Sequence, residues 1–418
     1  MLNKISLAVL LVTGVFLSAF EIIPAGDKYL YKCGEKVSFR IVPGKGEQLP
    51  DTLTFNLRCG NEKPRKIELK KSSGSFPEIT ASLDKPGFIY IQYPASTGKV
   101  KPSAGVGFEP EKITAGRKKP AGFDLYWAKA KAELDKLPLE YEKKELTKGI
   151  ARGFKAYELK INTGDPANPL YAILTVPADA KKQTLPAYLL YAGAGTDRIY
   201  PKYLHGAATL TVNPMSVYHT GKQGSSIYQK GGKYYHYFFW GSGDLKKNCF
   251  PGMFRRVYRS LQFMKSLPEW NRKHLIVRGG SQGGAQALVA AGLDKDVTLC
   301  IASVPALCDH GGYKVNGESG WPRYNTMGDF RKDPEKAAGQ LDMIDGVFFA
   351  GNIRNAKVVV TVGFIDRTCV PSSVYAAYNA IVAKDKQIYN DFRTGHTTSP
   401  ETGKKISALI QEHIKGKK

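Results

Sequence analysis

Between residues 36 and 93 apolar and polar residues alternate in short runs: "KVSFRIV", "TLTFNLR", "RKIELKK", "FPEITAS" and "GFIYIQY". Turn formers separate them, as in "PGKGEQLPD", "CGNEKP", "SSGS" and "DKPG". A period of two gives each strand one core face and one wet face. Short strands at this spacing predict a small antiparallel, immunoglobulin-like β-sandwich over residues 20–105. It holds no cluster of catalytic side chains, so a docking or glycan-positioning role is expected. The following "PASTGKVKPSAGVGFEPEKITAGRKKPAG" is rich in Pro, Gly and Lys and reads as a surface linker.

The pattern changes at residue 123. In "FDLYWAKAKAELDKLP" Phe123, Trp127, Ala130 and Leu134 share one helical face. Strands and helices then alternate. "FKAYELKI" and "LYAILTVP" suggest a leading hairpin. "AYLLYAG", "ATLTVNP", "LIVRGG", "LCIASVP", "VVVTVGF" and "QIYNDF" are short and almost wholly apolar, as parallel strands buried on both faces must be. Helical stretches are expected at 253–266, 284–292, 372–384 and 404–415. The second domain, residues 106–418 with the linker, is therefore predicted to be a doubly wound, mostly parallel α/β sheet. In such a sheet ligands lie beyond the carboxyl ends of the strands.

Three features bound the setting. The start, "MLNKISLAVLLVTGVFLSAF", has an early Lys and an apolar run the size of a signal-peptide core and short for a membrane span. Residues 1–19 are read as a signal peptide, and the protein as exported to the periplasm or beyond, with no membrane span in the mature chain. The 61 basic and 37 acidic residues give a formal charge of +24. A field of that sign attracts polyanions; export argues against nucleic acid and for acidic polysaccharide or an anionic cell surface. The six cysteines form no C-x-x-C pair, so no zinc site is expected. Export permits a disulfide, and Cys33 and Cys59 share the small domain.

The chemistry centres on "HLIVRGGSQGGAQAL". Gly279-x-Ser281-x-Gly283 between a strand and a helix suits a sharp, strained corner that exposes a serine Oγ at a helix N-terminus. A phosphate loop would need a Lys that this turn lacks. A serine nucleophile requires a base, and the base an orienting acid, in the order Ser, acid, His for the α/β-hydrolase arrangement. "VVVTVGFID" places Asp366 at a strand end, and "RTGH" places His396 in the next loop. Asp391 and Asp345 are rival acids. His205, His219, His236, His274 and His310 break the order, and His413 falls in a charged terminal helix. The oxyanion needs two backbone donors; Gln282 follows the nucleophile, and Ala194 lies in the loop after "AYLLYAG". The aromatic stretch 216–252, with Tyr234, Tyr235 and Trp240, offers ring faces for sugars, and Trp321 an opposite wall.

These residues resemble carbohydrate esterase family 7, the acetyl xylan esterase and cephalosporin-C deacetylase family, over residues 120–415. The likeness runs through "FDLYWAKAKAELDKLP", "RRVYRSLQFMKSLPEW", "RGGSQGGAQAL", "VPALCDH", "GGYKVNGESGWP", "GFIDRTCVPSSVYAAYN" and "TGHTTSPE". It implies an α/β-hydrolase fold, with Ser281 as nucleophile, Asp366 as acid and His396 as base, and makes Cys308 and Cys369 structural. The family's Arg-Gly-Gln region is replaced here by "LTVNPMSVYHTG", and Thr397 stands where better-known members have Glu. The expected activity is deacetylation of a polysaccharide or oligosaccharide through an acetyl-enzyme, without metal or organic cofactor. A homo-oligomer is compatible with this. Other readings are another ester or amide hydrolase (feruloyl or glucuronoyl esterase, peptidase) or a glycan-binding protein with an idle hydrolase domain.

Overall fold

The computed structural model describes residues 19–95, 101–213, 215–216, 225–241, 243–326 and 333–415. The expected signal segment lies almost wholly outside them, as does part of the aromatic stretch. The alternating runs form strands, and more strands than expected. These are β1 (Phe20–Pro24), β2 (Leu30–Tyr31), β3 (Lys36–Pro43), β4 (Thr52–Cys59), β5 (Arg65–Lys70), β6 (Ile79–Ser82), β7 (Gly87–Gln92) and β8 (Ser103–Phe108). They make two sheets, β1-β3-β6 and β2-β8-β7-β4-β5. Phe39, Phe55, Ile89, Ile91, Val106 and Phe108 fill the space between them. This is the expected sandwich.

Strand β8 corrects the linker reading. Residues 104–108 are all buried, and β8 pairs antiparallel with β7 and parallel with β2. Its small residues hide the strand from a hydrophobicity pattern, yet the fold demands them. A Cβ on Gly105 would lie 2.1 Å from the Phe364 carbonyl oxygen, so only glycine lets β8 pass there. Cys33 and Cys59, which the sequence left open to pairing, are free thiols, as are the other four cysteines.

After α1 (Phe123–Lys136), the chain forms β9 (Tyr141–Leu146), β10 (Phe154–Ile161), β11 (Leu170–Pro177), β12 (Leu185–Tyr191), β13 (Ala208–Val212), α2 (Cys249–Ser266), β14 (Trp270–Gly280), α3 (Gln282–Leu293) and β15 (Leu299–Ser303). Then come α4 (Pro334–Asp342), α5 (Gly346–Ala350), β16 (Lys357–Gly363), α6 (Pro371–Ala380), β17 (Lys386–Asp391) and α7 (Pro400–Lys415). Nine strands join in the order β17-β16-β15-β14-β12-β13-β11-β10-β9. The run from β13 through β12 and β14 to β17 is parallel, whereas β9, β10 and β11 are antiparallel. β9, "YEKKEL", escaped the pattern because it is an almost fully exposed edge strand. Helix α2 starts at Cys249 rather than 253 because the Asn248 side chain caps it, accepting from the Phe250 amide at 2.9 Å.

The two faces of the sheet are covered unequally. On one, Phe123, Trp127, Phe254, Leu288 and Phe349 from four helices share a single core with Ala187, Leu189 and Val277. Arg259 of α2 is fully buried there, donating to the carbonyls of Leu134, Pro138 and Asn162 and so tying α1 to the sheet. On the other face Ile406 and Ile410 of α7 pack on Tyr188, Ile276, Leu299 and Val359. His413, in the charged terminal helix α7, has its Nε2 2.9 Å from the Thr298 hydroxyl.

The sandwich is bound tightly to the α/β unit. Tyr29 stacks on Phe392 at 4.6 Å, and Phe88 meets Phe364 edge-on at 5.2 Å. The Asn316 amide donates to the carbonyls of Lys85 and Pro86. Arg367 grips Glu318 with two hydrogen bonds of 2.7 Å and lies over the Tyr90 ring. The residues so held, 364 and 367, flank Asp366. Gly105→Ala should therefore cost about 1–3 kcal/mol by overpacking and lower the rate on a small acetate ester. Gly403→Ala, with open space around its Cβ, should leave both intact. Thermal melts and ester assays of the two variants check this.

Candidate active site

Strand β14 ends at Gly280 and α3 begins at Gln282, leaving Ser281 alone to make the turn. Its φ of 56° and ψ of −123° are costly for a residue with a Cβ. The cost is met by neighbours on both sides: the Ser281 amide donates to Ser303 O at 2.9 Å, and Ser281 O accepts from the Ala306 amide at 3.0 Å. The glycines of the motif are there for space. A Cβ on Gly279 would stand 2.2 Å from Gly283 O, and one on Gly283 would stand 2.2 Å from Tyr191 O.

Strands β14, β16 and β17 run parallel, so their carboxyl ends meet at one edge. There the His396 Nε2 lies 2.8 Å from Ser281 Oγ, and its Nδ1 lies 2.7 Å from Asp366 Oδ2. A carboxylate only accepts, so Nδ1 carries the proton and Nε2 is left to accept from the serine hydroxyl. Asp366 is fully buried, and its other oxygen accepts from the amides of Thr368 (2.7 Å) and Cys369 (3.0 Å). Both carboxylate oxygens are thus committed, which fixes the plane of the imidazole.

The rivals are used elsewhere. Asp391 accepts from the Ser399 and Thr402 hydroxyls and the Ser399 amide at the start of α7. Asp345 caps α5 and holds the amides of Asp309 and His310. His310 is buried beside Asp345 and edge-on to Tyr324. The Cys369 thiol touches the Ser281 hydroxyl but is no competing nucleophile: burial, then the Asp366 charge, push its pKa well above the ordinary thiol range.

Around the serine, Gln282 is fully buried, and Ala194 is exposed on the turn after β12. Sequence reasoning missed what joins them. The Tyr237 hydroxyl donates to the Gln282 side chain, and the Gly195 amide, next to Ala194, acts on the same oxygen. Tyr228 donates to Thr196 O at 2.9 Å, bracing the same loop. Their one signal in the sequence was the aromatic-rich stretch, from which a sugar-binding role is expected. Of the residues expected to bind sugar, Tyr234 is buried, with its hydroxyl on Ser216 O. Tyr235 stacks on His236, Trp240 donates to Tyr235 O, and Trp321 packs on Phe238. None of the four lines the cavity that contains Ser281 and His396. That cavity, about 990 Å³, runs from Ser281 and His396 along Thr196, Arg198, Tyr200 and Lys202.

This arrangement can deprotonate a hydroxyl and attack a carbonyl carbon, and the chain that carries it is similar to known proteins. The chain is 29% identical to the acetyl esterase Axe7A of Xylanibacter ruminicola, across 94% of this chain and 90% of that one. The acetyl xylan esterase from a Paenibacillus species superposes with a TM-score of 0.63 at 24% identity, covering 72% of this chain and 98% of that one. Acetyl xylan esterase 1 of a Thermoanaerobacterium species does so with 0.57 at 21%, covering 73% and 97%. These two solved structures establish the α/β-hydrolase fold. The family model for acetyl xylan esterase (AXE1) matches residues 111–411, from just before α1 into α7. On that match the chain is a carboxylic ester hydrolase and belongs to the acetyl xylan esterase family.

Proposed function

We propose that this protein is a serine esterase that removes acetyl groups from acetylated polysaccharide or oligosaccharide. The observation that carries the reading is the unbroken hydrogen-bonded chain from Asp366 through His396 to Ser281, set on a strained elbow. His396 takes the Ser281 proton as Oγ attacks the acetyl carbonyl carbon. The backbone amides of Gln282 and Ala194 receive the oxyanion. His396 then returns the proton to the departing sugar oxygen, leaving an acetyl-enzyme. Water, deprotonated by the same imidazole, releases acetate and restores the serine. Asp366 steadies the imidazolium in both halves. No step requires a metal or organic cofactor. The substrate class is supported by the family and by the relatives' names.

Two further assignments belong to this reading. Residues 1–19 are a signal sequence, and the enzyme works outside the cytoplasm, where polysaccharide is found; among the described residues no helix is long and apolar enough to cross a membrane. The sandwich, with its boundary set after β8 at Phe108, is a unit that braces the Asp366 loop.

Acetate release from a panel of acetylated polysaccharides tests the activity directly; a folded enzyme that releases none refutes it. Ser281→Ala and His396→Ala should each lower kcat by a factor on the order of thousands, and Asp366→Asn somewhat less. Near-normal turnover by folded Ser281→Ala would end the serine mechanism. Tyr237→Phe should lower kcat on 4-nitrophenyl acetate about tenfold, with KM little changed, because only the setting of the oxyanion donors is disturbed. An equal KM effect would place Tyr237 in ground-state binding instead.

A further inference from the structure

Strands β12 and β13 are parallel neighbours joined by residues 192–207. Parallel neighbours are usually connected through a helix that covers the sheet. This connection contains none. The sheet face beneath it is therefore left open between the connecting loop and α7, with Tyr188, Leu190, Thr211 and Arg278 as its floor. The result is a groove of about 990 Å³ whose lining includes Ser281 and His396. Cavities of roughly 300–1,000 Å³ accommodate whole small ligands, and an acetyl group fills a small part of this one. The remaining space suits the leaving group.

The groove's chemistry is one-sided. Arg198, Lys202 and Arg278 line it, and no Asp or Glu does among the described residues. Tyr200 is 58% exposed and shares the wall with Tyr203. Ring faces beside positive charge suit sugars that carry an anion, and the +24 net charge attracts such chains to the protein. We propose that this groove, rather than the aromatic stretch around Tyr235 and Trp240, holds the sugar chain, and that it selects acetylated oligosaccharides bearing negative charge next to the acetylated unit. This rests on the esterase reading of Ser281. Arg198 and Lys202 are the specificity-determining cations, and Tyr200 supports a sugar ring.

The test compares three substrates: a uronate-bearing acetylated oligosaccharide, the same compound with its carboxylate reduced to an alcohol, and 4-nitrophenyl acetate. A sulfated acetylated oligosaccharide distinguishes carboxylate from sulfate as the anion. The intact enzyme should prefer the charged compound over its reduced form about tenfold in kcat/KM, through KM, and the preference should shrink as salt rises. The double variant Arg198→Ala, Lys202→Ala should lose that preference, with a much larger loss on the charged compound than on its reduced form or on 4-nitrophenyl acetate. Lys202→Glu should reverse it. Calorimetry of Ser281→Ala with the charged oligosaccharide should show the same dependence on Arg198 and Lys202 without turnover. Equal rates on the charged and reduced compounds, or equal losses on all substrates in the double variant, would overturn the assignment of the groove. Failure of the intact enzyme on 4-nitrophenyl acetate would instead refute the esterase reading.

Discussion

At Ser281 the chain reverses from strand to helix in one residue, and three backbone segments come together there at closer than side-chain distance. Gly283 presses on the end of β12, Gly279 on the first turn of α3, and the Ser281 amide reaches across to β15. Glycine is the only residue that permits these approaches, and the surrounding sheet supplies the energy that keeps a serine at positive φ. The other parts of the site take their positions from this corner. It brings the Gln282 amide to the start of a helix, aims Oγ out over the sheet edge, and sets β12 so that its following loop faces the serine.

The partners reach the corner through different means. Asp366 comes from the end of β16 and is held by two amides of its own loop; His396 comes from the loop after β17 and is held by Asp366. The Asp366 loop is also gripped from outside. Phe364 packs on Phe88, and Arg367 is locked to Glu318 and laid over Tyr90. The N-terminal sandwich thus supports the acid without lending a side chain to the chemistry. A fixed acid matters because the imidazole must offer Nε2 to the serine in one tautomer and one orientation.

The same sheet is tightly covered on one face and thinly on the other. Helices α1, α2, α3 and α5 bury their share, whereas α7 alone among the described helices packs the opposite face. That asymmetry turns a missing helix into a groove, lined by Arg198, Lys202 and Arg278 as well as by Ser281 and His396.

Much of this was written in local patterns. Period-two alternation marked the sandwich strands, apolar runs marked β12 to β17, and the glycines around Ser281 marked the corner, because each reports a requirement of nearby backbone. The order Ser281, Asp366, His396 was legible for the same reason: strand ends are local features, and parallel strands bring all of them to one edge. Other features depended on contacts distant in sequence. Strand β8 is made of small residues whose burial is due to Phe364, far along the chain. The buried guanidinium of Arg259 has meaning only beside the carbonyls ending α1. Tyr237 reads as one aromatic among many until folding sets its hydroxyl between Gln282 and Gly195. Cys33 and Cys59 share a domain but form no bond. Local spacing by itself determined the fold class and the order of the candidate triad, since both follow from short-range backbone geometry. Only the tertiary structure decided which side chains brace those groups and where a sugar chain has room, because bracing and room are set by surfaces that meet after the sheet has closed.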